Sequence, residues 1–153
     1  MLTAAYAGAV VTSNGSISNN GSMSNGFDVT SSENYYQWTT TQSINQSENI
    51  VVQISLPSNF KSLGSLSVDT NSSNTSEATI SATLLDSTNT PVNNWNNCNL
   101  TPTTVATWQS IACPITSGKF NPNGVVTLIL HLNAQDSAWI KSGKIVLSYN
   151  SAY

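Results

Sequence analysis

The feature that most restricts how this chain can fold is the run Val-Val-Thr-Leu-Ile-Leu-His-Leu at residues 125–132. It opens after Pro122-Asn123-Gly124 and stops at Asn133. A short run dense in β-branched and large aliphatic side chains, bounded by turn formers, reads as a central strand and not as a helix. Side chains alternate along a strand, so Val126, Leu128, Leu130 and Leu132 share one face, which predicts the core. Val125, Thr127, Ile129 and His131 make the other face half polar, which predicts partial cover there. A strand of this kind needs a second apolar layer packed against it.

Seven more segments supply that layer. They are residues 27–30, 35–41, 49–56, 66–69, 78–84, 105–112 and 144–149. Alternation is cleanest in 49–56, where Ile50, Val52, Ile54 and Leu56 align. It recurs with Ala78, Ile80, Ala82 and Leu84, and with Tyr36 and Trp38. No segment holds a sustained helical period. About eight strands joined by Asn-, Ser- and Thr-rich loops predict an all-β, antiparallel two-sheet β-sandwich of jelly-roll type over residues 32–153.

Residues 1–31 read differently. Val11, Ile17, Met23 and Val29 recur at intervals of six, separated by Asn14-Gly15, Asn20-Gly21 and Asn25-Gly26. Asn-Gly favours tight turns because both residues accept positive φ. So sparse an apolar repeat buries a core only when stacked on copies of itself. The segment is therefore either an N-terminal strand-and-turn stem, with those four residues as assembly contacts in a trimer or filament, or a flexible linker. A variant has residues 2–11 donated as a strand into a neighbour's sheet.

Charge excludes some partners. Charged residues are only 7% of the chain and the formal net charge is -3, so no basic footprint for nucleic acid exists. Solubility rests on neutral polar groups, a habit of secreted and cell- or virion-surface β-proteins. Residues 1–11 are mildly apolar but too short to cross a bilayer and lack a basic leader, which predicts no membrane insertion. An extracellular chain of this sequence is then a mature or excised piece, or leaves the cell by another route.

Cys98 and Cys113 fit no metal spacing, and one histidine is too few for a zinc site, so no metal or cofactor is implied. A disulfide is the expected pairing, with Thr101-Pro102-Thr103-Thr104 as the turn of a hairpin that sets the sulfurs on adjacent strands; two buried thiols are the alternative. Six sequons, at Asn14, Asn20, Asn45, Asn71, Asn74 and Asn99, are possible glycosylation points.

Several segments carry a family resemblance. Tyr36-Gln-Trp38-Thr39, Ile50-Val-Val-Gln-Ile-Ser-Leu-Pro57 with Phe60, Trp108-Gln109, Gly124-Val-Val-Thr-Leu-Ile-Leu130 and Gly143-Lys-Ile-Val-Leu-Ser-Tyr149 resemble the jelly-roll head module of bacterial and phage-type surface fibres. The resemblance covers residues 27–153. It implies display, adhesion or assembly at a surface, commonly as trimers, and carries over no catalytic residue.

Catalytic motifs are missing from the residues themselves. His131 has Asp136 as its nearest acid along the chain, nothing resembles a nucleophile elbow, and the seven acids are scattered. Asp69-Thr-Asn71 and Asp86-Ser-Thr-Asn89 are oxygen-rich but too sparse for a calcium loop, so ordinary turn chemistry is expected. Trp95 and Trp139 lie in what read as polar loops, the pairing of apolar ring and hydrogen-bonding rim that suits a sugar; the alternative is that each indole caps the sandwich. Ligand-binding candidates are Trp95, Trp139 and His131. The expected function is a non-enzymatic structural or adhesive subunit of an extracellular fibre or filament that self-assembles through its N-terminal segment. The alternative is a carbohydrate-binding module of a larger secreted or surface protein, with surface glycans as partners.

Overall fold

The computed structural model describes residues 2–4, 10–12, 21–95 and 98–152, with backbone alone at 2–4, 10–12 and 94. The strands are β1 (Leu2–Ala4), β2 (Val10–Thr12), β3 (Ser22–Asp28), β4 (Glu33–Thr39), β5 (Gln46–Ser55), β6 (Phe60–Ser72), β7 (Ala78–Leu85), β8 (Cys98–Asn99), β9 (Gln109–Pro114), β10 (Val125–Ala134) and β11 (Trp139–Ser151). Sheet A has the order β3-β4-β11-β6-β9, with β1 also beside β11; sheet B has the order β2-β5-β10-β7-β8. All pairings are antiparallel. The expected β-sandwich is the observed fold.

β10 sits at the middle of sheet B. Leu128 pairs with Val52 and Leu84, and Leu130 with Ile50 and Ala82, so one apolar row runs across three strands. Val126, Leu128, Leu130 and Leu132 are fully buried, as alternation requires. Sheet A answers with Trp38, Leu66, Val68, Ile140, Ile145 and Leu147, all within the same core. Burying each such side chain contributes about 1.5–3 kcal/mol before conformational entropy is counted. The Trp38 indole N–H donates to Gln46 O at 3.0 Å, so its burial leaves no orphaned donor.

Three short strands, β1, β2 and β8, add to the eight expected ones. β1 lies beside residues 145–147 of β11 and β2 beside residues 49–51 of β5, while β3 forms a hairpin with β4. Each described strand of residues 1–31 thus pairs within one of the two sheets. Asn25-Gly26, read as a turn, lies instead in mid-strand opposite Tyr36 and Tyr35. The turn falls at residues 29–32, where the Asp28 carboxylate accepts from the backbone N–H of Thr30 at 3.0 Å and of Ser31 at 3.3 Å. Met23 packs against the core and Val29 is 80% exposed at the turn. Val11 belongs to β2, and Ile17 lies outside the described residues.

Cys98 and Cys113 are bonded, with Cα atoms 6.3 Å apart. They do not face each other across a hairpin. β8 is an edge of sheet B and β9 an edge of sheet A, so the bond joins the two layers. The reason is that residues 101–108 carry the chain from one layer to the other, held midway by Ala106 N–H donating to Ser72 O. Closing this loop contributes about 3 kcal/mol in the chain-entropy account.

Candidate functional site

The outer face of sheet A gathers the chain's unusual side chains. On β4, the even residues Tyr36 and Trp38 turn inward, so Tyr35, Gln37 and Thr39 point outward. Register then sets Trp139 opposite Thr39 and Lys141 opposite Gln37, while Asn71 of β6 lies on the far side of Lys141. The Lys141 ammonium sits 4.3 Å from the Tyr35 ring centre and 4.7 Å from that of Trp139, a cation held against two aromatic faces. Trp108, which precedes β9, lies 6.1 Å from Tyr35 at a tilt of 48°.

Two glycines make room for this cluster. A Cβ at Gly26 would come within 2.6 Å of Tyr35 Oη, so the tyrosine ring lies across the bare backbone of β3. A Cβ at Gly143 would meet Glu33 Oε2 at 2.7 Å and Trp108 Cζ3 at 3.0 Å. Both positions are on strands, where glycine marks a close approach.

Trp108, on the loop before β9, lies across the outer face of sheet A: its ring reaches over Gly143 of the middle strand β11, and its Nε1–H donates to Asp28 Oδ2 at the end of β3 at 2.9 Å. At the rim beyond Thr39 a depression of about 270 Å³ is lined by Gly21, Ser22, Thr39, Thr40 and Thr41.

Charges on this face are arranged to accept hydrogen bonds. The Trp108 N–H holds the Asp28 carboxyl below the usual carboxylate range, helped by Ser31 and Thr30 and only partly opposed by desolvation. Burial, followed by a hydrogen bond with Asp69, raises the Glu33 carboxyl above its usual range. The Glu33 carboxyl lies over the missing side chain of Gly143, and Lys144 N–H donates to Glu33 Oε2 at 3.2 Å. Asn71 is 5% exposed, and its Oδ1 has no hydrogen-bond partner among the described residues. A buried carbonyl left in that state costs about 1–3 kcal/mol, so it is an acceptor in want of a donor.

The residues singled out by sequence do not converge. Trp139 joins this cluster, although it starts β11 and is not in a loop; the turn before it is made by Asp136 and Ser137, at φ 51° and 66°. Trp95 follows a 3-10 turn at Val92–Asn94 and packs partly buried against the core. His131 is on the opposite, outer face of sheet B. Its Nδ1 bonds Asn49 Oδ1 at 2.9 Å and its Nε2 bonds Thr83 Oγ1 at 3.0 Å, so both ring nitrogens are occupied by neutral groups. Burial lowers its pKa.

Asp86 does turn chemistry. Its Oδ1 accepts from Thr88 N, Thr88 Oγ1 and Thr90 N, and its Oδ2 from Lys119 N. Burial alone would raise its pKa, but these bonds outweigh it and hold the group at about 2. Among the sequons, Asn71 is too buried to be glycosylated in the folded chain, and Asn74 is tied to Glu77 Oε2 at 2.7 Å. Asn45 and Asn99 are exposed, and Asn14 and Asn20 lie outside the described residues. Sequence reading missed Tyr35, Lys141, Trp108, Asp28, Glu33 and Asn71 as a group. The available signal was an aromatic residue on the outward phase of β4 and a Trp-x-Lys pair on the outward phase of β11.

No family model matches this sequence, and no curated protein matches it. Solved structures do share its fold. TmCBM61, solved in complex with beta-1,4-galactotriose, is similar with a TM-score of 0.64 at 10% identity, over 95% of this chain and 91% of that one. The xylan-binding module CBM15 gives 0.59 at 14% identity, over 99% and 97%. The enzymatically active domain of tailspike protein 4 of bacteriophage CBA120 gives 0.59 at 15% identity, over 94% of this chain but only 20% of that one. The jelly-roll fold is thus shared with carbohydrate-binding modules and with part of a phage tailspike.

Proposed function

We propose that the protein is a carbohydrate-binding module and that the outer face of sheet A receives a sugar chain. The observation that carries this reading is the aromatic cluster on the outer face of sheet A, Tyr35 and Trp139 against Lys141 with Trp108 beside Tyr35. Pyranose rings present apolar C–H faces and a hydroxyl rim, and such a ligand is matched by indole and phenol faces bordered by amides and carboxylates. Lys141 supplies donors, and the Glu33 and Asp28 carboxyls supply acceptors. For a sugar to stack on Tyr35 or Trp139, the ammonium must swing from the ring face, at a cost of about 0.5–1 kcal/mol. The shared fold with modules described as bound to galactotriose or as xylan-binding supports this reading. The Cys98–Cys113 bond supports an extracellular location, where disulfides persist.

Titration calorimetry with β-1,4-galacto- and xylo-oligosaccharides, preceded by a glycan array, tests the reading. Tyr35→Ala and Trp139→Ala should each weaken binding at least about tenfold without changing the melting temperature by more than a few degrees. Sugar binding that survives both substitutions would place the site elsewhere. A second reading, a subunit of a surface fibre that assembles through residues 1–31, is favoured by the tailspike likeness. The two readings are compatible if the module is what the fibre displays.

A further inference from the structure

Sheet A ends on one side at β3, and among the described residues β3 pairs with β4 alone. Among the described residues nothing pairs with its other edge, which presents a row of backbone N–H and C=O groups. Exposed edges are usually blunted by lysine, proline, bulges or shortness. β3 has none of these. Its seven residues, Ser-Met-Ser-Asn-Gly-Phe-Asp, keep unbroken register with β4 from Ser22↔Thr39 to Asp28↔Glu33. The opposite edge of the sheet, β9, ends in Pro114 and is tied down by Cys113.

The side chains of β3 add a second observation. Phe27 lies on the core side of the strand by alternation, in phase with Met23, yet it is 54% exposed. Met23 packs against the core. An aromatic ring thus hangs from an open edge with apolar surface two pairs away on the same face.

We propose that β3 pairs antiparallel with β3 of a second copy, about a twofold axis through Asn25. In that register Met23 of one copy faces Phe27 of the other, Ser24 faces Gly26, Ser22 faces Asp28 and Asn25 faces itself. Apolar residues meet apolar residues, and the one carboxylate meets a hydroxyl. Neighbouring registers lose this match. An axis through Gly26 sets Phe27 against Asn25, and an axis through Ser24 sets Met23 against Asn25 and leaves Phe27 beyond the ladder. The contact is isologous and closes at two copies. Because directly opposed residues of an antiparallel pair share a face, the axis stands normal to the sheet, and the outer faces of both copies point the same way.

Size-exclusion chromatography with light scattering on the full chain should show a concentration-dependent dimer. Asn25→Cys should give a covalent dimer on air oxidation, since opposed Cα atoms about 4.5–5.5 Å apart suit a disulfide, whereas Lys61→Cys on exposed β6 surface should not. Phe27→Lys should raise the dimer dissociation constant at least about tenfold, and Val29→Lys, just outside the ladder, should leave it unchanged. A protein that stays monomeric at every concentration, with Asn25→Cys uncrosslinked, overturns the proposal. So does a dimer that ignores Phe27→Lys and fails to crosslink at residue 25. No sugar enters these measurements, so their failure is separate from failure of the carbohydrate reading.

Discussion

The outer faces of the two sheets follow the same alternation and draw on the same polar side chains, but they differ in whether those polar groups are already satisfied. On sheet B, His131 is bonded at both nitrogens by Asn49 and Thr83, and Ser47 Oγ donates to Asn133 Oδ1 at 2.6 Å. Half-buried Val51 and Ile129 fill the spaces between. On sheet A, two aromatic rings lie against a cation, the Glu33 carboxyl lies over a glycine, and the buried Asn71 Oδ1 has no hydrogen-bond partner among the described residues. A polar inventory alone does not locate a binding face. For the sugar site proposed above, the stacking faces of Tyr35 and Trp139 are what single out sheet A.

The sharpest way to break the contrast is Gly26→Val. Valine suits a strand, but its Cβ would force the Tyr35 ring from its seat, so sugar affinity should fall at least about tenfold while far-ultraviolet circular dichroism is kept. Unchanged affinity by calorimetry would show that Tyr35 contributes nothing where it lies.

His131→Ala tests the other face. It removes the hydrogen bonds of the ring to Asn49 and Thr83 and should lower stability by about 1–2 kcal/mol in urea, with sugar affinity untouched. Its pH behaviour is a further check. The folded pKa is lowered from the ordinary 6.5, so protonation favours the unfolded chain. The stability His131 contributes is complete above about 6.5 and is lost as pH falls below it toward the folded value, a slope the alanine variant should lack.

Glu33→Gln should have the smallest effect. Its carboxyl is raised above the ordinary 4.5, so ionisation opposes folding at neutral pH and the penalty fades as pH falls through the folded value. Glutamine keeps an acceptor for Lys144 N–H and should raise the melting temperature slightly at pH 7, with no gain in acid. A drop at pH 7 would mean that the Glu33 charge is held by a stronger partner than Asp69 is a repulsive one.

How much of this was legible depends on whether a signal was local. β10 was readable because each inward position is apolar and each flank carries a turn former, so period and boundary agree. β5 and β7 were readable for the same reason. Asn25-Gly26 misled because its turn propensity is local, whereas its role is to lie beneath a ring from the next strand. Trp139 was read into a loop because Asp136-Ser137-Ala138 precedes it, yet the positive φ at residues 136 and 137 completes the turn before the indole. The pairing of Cys98 with Cys113 was legible, but not that it crosses layers. The cluster itself depends on register, Lys141 against Gln37 and Asn71, and on the loop that lays Trp108 across the sheet to Asp28. Neither is written in any one segment.

The crossing of that disulfide ties the site to the whole molecule. Trp108 belongs to the loop that the bond closes, so this indole is tethered through Cys113 to Cys98 on the opposite sheet. Gln109 Oε1 stiffens the same loop by accepting from the backbone N–H of Thr103 and Thr104. A pull on a ligand lodged against Trp108 is therefore passed covalently into the other layer. The two layers are thereby joined by a covalent bond as well as by packing, and a load on one is shared by the other.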